Sequence, residues 1–532
     1  MDVALPPHVT QHWEVAKPVA RGRRGLVAAQ AREGAEAGVA VLEAGGNAVD
    51  AAVATALALA VVEPWNSGLG GIGFALVHPA GEARATAVDF GPVAPAGLDP
   101  SRFRLTGRTK QDLFAWPEVE GDRNIHGPLA FVVPAAVAGY AAMLERWGRL
   151  PLADVMAPAL ALARRGLASD WFTTLKVANA AATLRLYPES ARLYLPDGLP
   201  PVAPYQGTPG FLPLGRLPET LERLARAGLS DFYTGAVAAA LADDLAEAGA
   251  VLSAEDLAAC RARIGPADEV AWRGQVVQTP GGLTAAPTLA RVLGAMAEVH
   301  AAAPSPAWFA ALARALRAAY AERLAGLGAA EPPGADSCTT HLTVCDAEGT
   351  MVALTTTLLS SMGSRVVLPR SGVLMNNGVM WFDPAPGRPN SVAPGRRPLT
   401  NMCPVILRGP DGPVLGLGAS GGRRILAAVA QSLLFVAGFG MAPAAAAHHP
   451  RIDVSGPDGV TADRRLGEAV IAALRADGPV EVVDHGVLPI NFACPNLILR
   501  AGADRIGVTD VMSPWSAALA EGQGGPGRRA TA

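Results

Sequence analysis

EPPGADSCTTHL, residues 331–342, divides the chain into two stretches of different character. Upstream, from about residue 134 to residue 329, the sequence is rich in Ala, Leu and Arg, with apolar residues at helical spacing. Downstream, short β-type runs follow one another, among them residues 342–345 and 351–358. The prolines and the glycine of residues 331–337 disfavour both helix and strand, so we expect a linker between a helical layer and a strand-rich part.

The N-terminal part shows a helix, a glycine turn and a strand in that order. An apolar run at residues 51–62 follows a Gly-Gly-Asn turn and ends at a Glu-Pro pair. It is shorter than the roughly 20 residues that a bilayer span needs, so we expect a buried helix. The glycine-rich residues 66–73 then lead into a strand at residues 74–77. This order is the reverse of the strand, glycine loop and helix of a dinucleotide site, so we expect no nucleotide site here.

The composition excludes several classes of protein. Hydrophobic residues make up 50% and charged residues 17% of the 532 residues, a balance typical of a folded globular chain. Lys+Arg 44 against Asp+Glu 47 give a net charge of -3, and no basic stripe is interleaved with aromatic residues, so nucleic acid is not an expected partner. The N-terminus lacks the apolar core of a signal peptide, so we expect a cytoplasmic protein that does not bind a membrane.

The cysteines and histidines do not form a metal-binding pattern. The five cysteines are scattered without a C-x-x-C pair, which favours free thiols in a reducing compartment. His448 and His449 lie near Asp453, but adjacent histidines seldom face one ion. We therefore expect neither a metal nor a cofactor.

Short motifs along nearly the whole chain together resemble the gamma-glutamyltransferase family. Each motif is weak alone, whereas their order and spacing are specific. They are Gly45-Gly46-Asn47-Ala48-Val49-Asp50-Ala51-Ala52, Val62-Glu63-Pro64 with Gly68-Leu69-Gly70-Gly71, Phe232-Tyr233-Thr234-Gly235, Thr339-Thr340-His341, Thr355-Thr356-Thr357, Asn376-Asn377, Arg397-Pro398-Leu399 and Ser420-Gly421-Gly422.

The resemblance implies an α/β (α+β) fold, the αββα four-layer sandwich of the N-terminal-nucleophile hydrolases. It also implies an inactive precursor that cuts itself between Cys338 and Thr339. The products would be a large part, residues 1–338, and a small part, residues 339–532, which stay together as a heterodimer. A dimer of such heterodimers is left open.

Thr339 is the predicted nucleophile. A threonine hydroxyl is a weak nucleophile at its own pKa and needs a base within hydrogen-bond reach. Cleavage before Thr339 would create one, because a free α-amine has a reference pKa of about 7.7–8.0 and belongs to the same residue. The alternative is an ordinary linker threonine, but the break in sequence character and the downstream motifs favour the catalytic role.

Three further residues take catalytic roles by resemblance. Thr357 matches a second threonine whose hydroxyl contacts the nucleophile, and a strand, turn and returning strand would bring it beside Thr339. Gly421 and Gly422 match the pair whose backbone N–H groups form the oxyanion hole. The alternatives are a plain strand threonine and a plain glycine turn.

Four positions depart from the family pattern. The family has an arginine at Gly91, an asparagine at Leu359, a glutamine at Gly378 and an aspartate at Trp381. These polar groups would bind the α-carboxylate and α-ammonium of a γ-glutamyl group, both of which lose water in the pocket. Losing one partner of a buried charge pair costs about 2–5 kcal/mol, so glutathione is not the expected preferred substrate.

Six residues are predicted to contact the substrate, and two of them stand at these positions. Arg423 directly follows the glycine pair and could bind a substrate carboxylate, with an ordinary salt bridge or surface arginine as the alternative. Leu359 and Trp381 could form an apolar boundary, although both are also frequent packing residues. The resemblance adds Asn377, Thr400 and Asn401 as substrate contacts.

The predicted function is hydrolysis of a small amide other than glutathione through a Thr339 ester, similar to oxamate amidohydrolases or acylases. Two alternatives stay open. One is a true glutathione hydrolase or γ-glutamyltransferase with a rearranged pocket. The other is a catalytically silent binding protein that keeps the fold, since the fold alone does not choose among activities.

Overall fold

The computed structural model describes residues 15–110, 116–326, 337–456 and 459–523. Residues 331–336 of the predicted linker lie outside them, whereas its last residue, Ser337, begins a strand because it pairs with Ser360. The strands are β1 (Ala20–Gly22), β2 (Leu26–Ala29), β3 (Ile72–His78), β4 (Thr86–Phe90), β5 (Leu105–Thr109), β6 (Pro117–Val119), β7 (Leu167–Ala168), β8 (Phe211–Leu212), β9 (Arg263–Pro266), β10 (Asp268–Trp272), β11 (Gln275–Thr279), β12 (Ser337–Cys345), β13 (Met351–Ser360), β14 (Val367–Leu368), β15 (Val373–Leu374), β16 (Val405–Gly409), β17 (Gly412–Ser420), β18 (Ile452–Asp453), β19 (Val460–Asp463), β20 (Val480–Val483), β21 (Cys494–Ala501), β22 (Asp504–Thr509) and β23 (Ala517–Ala520).

The helices cover the outer faces of the sheets, and within the described residues none is long and apolar enough to cross a membrane. They are α1 (Arg32–Glu43), α2 (Ala48–Val62), α3 (Ala136–Trp147), α4 (Leu152–Arg165), α5 (Trp171–Leu184), α6 (Pro188–Tyr194), α7 (Leu217–Ala227), α8 (Asp231–Thr234), α9 (Ala236–Glu247), α10 (Ala254–Ala259), α11 (Ala286–Met296), α12 (Pro306–Gly326), α13 (Arg424–Leu433), α14 (Pro443–His448) and α15 (Glu468–Arg475).

Two seven-stranded antiparallel sheets form the centre of the molecule. The first has the order β1-β22-β21-β17-β16-β11-β10 and the second the order β23-β2-β12-β13-β3-β4-β9. Side chains alternate between the two faces of each strand. In β2, Val27 and Ala29 pack against the helices on one side, while Leu26 and Ala28 pack against the other sheet. The four layers confirm the predicted αββα sandwich.

Helix α2 is the predicted buried helix, and all fifteen of its residues are buried. It begins with a capping box, in which the side chain of Asn47 accepts from the N–H of Asp50 and the side chain of Asp50 accepts from the N–H of Asn47. The glycine run that follows α2 allows close strand packing. A Cβ at Gly73 would lie 2.3 Å from the carbonyl oxygen of Thr355 on β13.

The change in sequence character at the linker does not separate two bodies in space. Residues 1–338 supply β1, β10 and β11 to the first sheet, and residues 339–532 supply its other four strands. The second sheet is mixed in the same way. The predicted helical stretch 134–329 holds α3 to α12 but also β9, β10 and β11, which lie at or near sheet edges. Their short mixed polar sequences carry too weak an alternation to predict strands.

Candidate active site

Thr339 and Thr357 lie side by side on neighbouring strands. β12 pairs antiparallel with β13, and the hydroxyl oxygens of the two threonines are 3.4 Å apart. Thr357 Oγ1 also accepts a hydrogen bond of 2.8 Å from the N–H of Leu359. Both threonines are buried, with 5% of Thr339 exposed. The structure therefore brings the predicted nucleophile to the hydroxyl that the sequence assigned to it.

The strand is irregular at the predicted cleavage point. Cys338 pairs with Leu359 and Thr340 pairs with Thr356, so the register shifts across Thr339. A bulge of this kind interrupts the ladder and turns a side chain away from the regular pleat. The peptide bond before Thr339 therefore lies at a break in the sheet hydrogen bonding rather than inside a regular ladder.

His341, the third residue of the Thr-Thr-His triplet, is held between the two sheets. Its Nδ1 lies 2.8 Å from Thr355 Oγ1 and its Nε2 lies 3.1 Å from Thr343 Oγ1. Burial lowers the pKa of His341 to about 3, so the ring is neutral at physiological pH. Asn496 donates to the carbonyl oxygen of His341 at 2.6 Å and ties β12 to the opposite sheet. His341 fixes the strand and does not face Thr339 as a base.

Gly421 and Gly422 stand at the end of β17, directly before α13. Their φ angles are +132° and +60°, in the region that favours glycine. A Cβ at Gly421 would lie 2.7 Å from the Cα of Ala493, so the backbones approach closely. The positive end of the ten-residue helix α13 follows the pair. Backbone N–H groups at such a position suit a developing negative charge.

We use the term apolar wall for Gly91, Leu359, Gly378 and Trp381, the positions at which the family pattern has polar groups. A Cβ at Gly378 would lie 2.3 Å from Val132 Cγ2, so no larger side chain fits there without movement. Leu359 and Trp381 are 2% and 3% exposed.

The fourth position, Gly91, lies beside an ion pair. A Cβ there would lie 2.6 Å from Nη2 of Arg397, which pairs with Asp89. Neighbouring side chains thus occupy the space beside both glycines of the apolar wall.

Arg423 is buried, with its guanidinium 5.6 Å from the ring centroid of Trp116. The indole N–H of Trp116 donates to the carbonyl oxygen of Met380 at 3.0 Å, beside Trp381. The carbonyl oxygen of Arg423 accepts from the hydroxyl of Tyr320. Arg423 therefore lies towards the apolar wall, and it is not among the residues that line the cavity at Thr339 described below.

The other predicted substrate contacts hold loops in place. Asn377 donates to Ser360 Oγ at 2.7 Å and accepts from the N–H of Ser360 at 3.1 Å. Thr400 donates through its N–H and its hydroxyl to the carbonyl oxygen of Leu283. Asn401 Oδ1 lies 3.4 Å from Nη2 of Arg323. None of the three lines the cavity at Thr339, and their substrate role stays a prediction.

A cavity of about 50 Å³ opens at Thr339 and Gly421. We call it the Lys176 cavity. Its polar lining includes Gln30, Glu63, Asn66 and Lys176, and its apolar lining includes Phe172 and Phe492.

Two charged residues of this cavity were not predicted as functional. Glu63 ends α2, and Lys176 lies on α5, four residues after Phe172. Burial raises the pKa of Glu63 to about 7, although the hydrogen bond from Asn66 and the charge of Lys176 act in the opposite direction. One feature of the sequence could have indicated a special role for Lys176. Lys17, Lys110 and Lys176 are the lysines among 44 basic residues, so arginine is the usual cation of this chain.

The histidines and cysteines outside the site make ordinary contacts. His448 Nε2 lies 3.2 Å from the carbonyl oxygen of Thr509, and the ring of His449 packs on Phe435. Cys260, Cys345, Cys403 and Cys494 are free thiols. Among the described residues, no group of three or more potential ligands could hold a metal ion.

Comparison with known proteins agrees with this geometry. The family model described as Gamma-glutamyltranspeptidase matches residues 34–333 and 326–512, which is most of the chain. The chain belongs to the gamma-glutamyltranspeptidase family. The chain therefore belongs to a family of enzymes. Its relatives are named as proenzymes and are N-terminal-nucleophile hydrolases.

Its relatives carry two kinds of name. The glutathione hydrolase proenzyme of Escherichia coli strain K12 is 30% identical, over 89% of this chain and 89% of that protein. The acylase ACY 1 proenzyme of Pseudomonas sp. strain SE83 is 29% identical, over 90% of this chain and 91% of that protein. The cephalosporin acylase structure from Bacillus halodurans shares the fold, with a TM-score of 0.81, 23% identity and coverage of 98% of this chain and 100% of that one.

Proposed function

We propose that this protein hydrolyses an amide through an ester on Thr339, after cutting its own chain between Cys338 and Thr339. The observation that supports the proposal most directly is the place of Thr339. Its hydroxyl lies 3.4 Å from that of Thr357, where the pairing of β12 with β13 shifts register, on a cavity that also reaches the backbone of Gly421. A nucleophile, a polar partner and candidate oxyanion donors meet there.

The first reaction prepares the nucleophile. Thr339 Oγ1 attacks the carbonyl carbon of Cys338, the C–N bond breaks, and Cys338 becomes an ester of the threonine hydroxyl. Water then hydrolyses that ester and leaves a carboxylate on Cys338 and a free α-amine on Thr339. The bulge supports this step, because the bond is not held in a regular hydrogen-bonded ladder.

The second reaction is the turnover. The neutral α-amine accepts the proton of Thr339 Oγ1 as the hydroxyl attacks the substrate carbonyl. The N–H groups of Gly421 and Gly422 stabilise the negative charge on the carbonyl oxygen. The amine of the substrate leaves with a proton, and water releases the acyl group. The two parts, residues 1–338 and 339–532, remain a heterodimer because both contribute strands to both sheets.

For the substrate, we propose a small amide other than glutathione, as an acylase would take. The apolar wall supports this choice, since side chains fill the space beside Gly91 and Gly378. The names of the relatives favour a second candidate, glutathione hydrolysis. A comparison of kcat/KM for glutathione, oxamate and simple acyl amides separates the two, and glutathione as the best substrate would reject the acylase assignment.

Replacing Thr339 by alanine tests the reaction itself. The wild-type protein should run as two bands on a denaturing gel, and the smaller band should begin Thr-Thr-His-Leu by Edman sequencing. Thr339→Ala should stay a single chain and lose hydrolysis, because the change removes the attacking oxygen. Circular dichroism should show the same fold in both proteins. A folded wild-type chain that stays uncut after long incubation would contradict the proposal.

A further inference from the structure

Gln30 is a buried amide side chain with one unused oxygen atom. It is 4% exposed, and its Nε2 donates to Ser420 Oγ on β17 of the opposite sheet. Its Oε1 is also buried and has no hydrogen-bond partner among the residues that the structure describes. Such an oxygen costs free energy unless a donor reaches it. Gln30 lines the cavity at Thr339, so the site holds an acceptor to which the described part of the uncut chain brings no donor.

The strand order places Gln30 beside Thr339, on the side away from β13. Strand β12 lies between β2 and β13. Ala29, the last residue of β2, pairs with Leu342, and continuing this register sets Gln30 opposite His341. Thr339 lies two residues further along β12, and a diagonal neighbour at this spacing is within reach of a long side chain. The lining of one cavity by both Gln30 and Thr339 agrees with this placement.

We propose that Gln30 positions the α-amine that the cut creates on Thr339, with its Oε1 accepting a hydrogen bond from that amine. This inference rests on the proposed function, since the amine exists only after the bond between Cys338 and Thr339 breaks. Thr357 then holds the hydroxyl of Thr339 from one side, at 3.4 Å, and Gln30 holds the amine from the other. An anchored amine can aim its lone pair at the hydroxyl of the same residue. Gln30 is a positioning residue, because it acts through the amine and not on the substrate.

The proposed hydrogen bond changes the pKa of the α-amine in a defined direction. A carbonyl oxygen binds an ammonium group more strongly than a neutral amine, so Oε1 of Gln30 raises that pKa. The neutral amine is the base, so kcat/KM rises with pH through the same pKa. Glu63 at the end of α2, Lys176 on α5 and Cys494 on β21 are the titratable or charged side chains in the cavity lining. They are identical in every variant below, so a difference between variants reports on Gln30.

The test compares pH profiles of kcat/KM on processed protein. Glutaryl and pentanoyl p-nitroanilide serve as substrates of equal chain length, the first ending in a carboxylate and the second in a methyl group. Gln30→Met should lower kcat/KM for both by about 10–100-fold and move the rising limb down by about 0.5–1 pH unit, because the ammonium loses its acceptor. Gln30→Glu should move the limb up by about one pH unit or more, because a carboxylate stabilises the ammonium.

Gln278→Met is the matched control. Gln278 is also buried, and its Oε1 also lacks a hydrogen-bond partner among the described residues, but it lies on β11 and does not line the cavity at Thr339. Its limb should stay at the wild-type pH. Gln30→Met should still cut before Thr339 within about threefold of the wild-type rate, because the amine forms only afterwards.

Direct titration of the amine separates this inference from the proposed function. In processed protein labelled with ¹⁵N-threonine, the NMR signal of the N-terminal amine follows its protonation without any substrate. The pKa of the amine should fall in Gln30→Met and rise in Gln30→Glu. If it does so but neither the anilides nor glutathione is hydrolysed, the positioning role stands and the proposed turnover falls. A wild-type pKa in both Gln30 variants, an equal shift in Gln278→Met, or cutting that slows as much as turnover would each overturn the inference, and a wild-type chain that stays uncut would overturn both.

Discussion

Two buried cations, Arg423 and Lys176, have different surroundings. Arg423 follows the glycine pair in the chain and packs over Trp116, towards the apolar wall. Lys176 comes from a distant helix and faces the cavity that Thr339 lines. Position in the sequence therefore favours Arg423 as a neighbour of Thr339, whereas the fold brings Lys176 to the cavity.

The difference shows how charge recognition depends on open space as well as on charge. On the side of the apolar wall, Val132 and Arg397 occupy the room beside Gly378 and Gly91. On the other side, a cavity opens next to Lys176, whose Nζ has no ion-pair partner within 4 Å among the residues that the structure describes. A cation beside filled space stabilises the fold, while a cation beside a cavity also acts on the groups that line it.

The largest effect should come from a substitution in the glycine pair, Gly421 and Gly422, which adjoins both Arg423 and the Lys176 cavity. Gly421→Ala should lower kcat by about 100–1,000-fold for glutaryl and pentanoyl anilides alike, because it moves a candidate oxyanion donor. The added Cβ would lie 2.7 Å from the Cα of Ala493 at a φ of +132°. Steady-state kinetics on processed protein measures this loss. An effect confined to one anilide would mean that Gly421 selects substrates rather than stabilising the oxyanion.

The next effect tests whether the apolar wall is filled. Gly378→Ala should lower the free energy of unfolding by about 1–3 kcal/mol, because its Cβ would meet Val132 Cγ2 at 2.3 Å. Gly294→Ala is the control, since no atom lies within 4 Å of a Cβ at that helical position. That control should be neutral or slightly stabilising. Thermal unfolding at a fixed scan rate compares them, and equal midpoints would show that the wall has room.

The smallest predicted effect is a pH dependence of KM that arises in the Lys176 cavity. Glu63 lines the Lys176 cavity and interacts with Asn66, Lys176 and Thr340, and its raised pKa of about 7 means that it gains negative charge as the pH rises from 6 to 8. KM for glutaryl p-nitroanilide should therefore rise by up to about tenfold over that range, while KM for the pentanoyl compound stays constant. Glu63→Gln should abolish the difference. Parallel pH profiles for the two anilides in wild type would show that the charge of Glu63 does not act on the substrate carboxylate.

Several features of the site could be predicted from the sequence because they are local. The apolar run before the glycine turn predicts α2, and the strands on both sides of a short turn bring Thr357 to Thr339. Glycines at 421 and 422 indicate a special backbone, and both have positive φ. In each case, neighbouring residues in the chain determine the geometry.

The Lys176 cavity could not be predicted in this way. Helical periodicity gives α5, but it does not tell which distant surface the helix covers. Glu63 ends α2 and Lys176 lies more than a hundred residues later, so their meeting depends on the packing of whole layers. The strands β9 to β11, at or near the sheet edges, could not be predicted for a related reason, since pairing with their neighbours stabilises an extended conformation that their own sequences favour only weakly.

The sharing of both sheets between residues 1–338 and residues 339–532 has a consequence for assembly after the cut. Each fragment alone would expose the edges of strands whose neighbours belong to the other fragment, and such edges invite aggregation. The pair should therefore survive dilution as one particle, because separation requires unfolding. Refolding from two separate fragments would need a bimolecular encounter, whereas the precursor folds as one chain. The proposed cleavage would therefore make unfolding irreversible, so that the lifetime of the cleaved protein would depend on how slowly it unfolds.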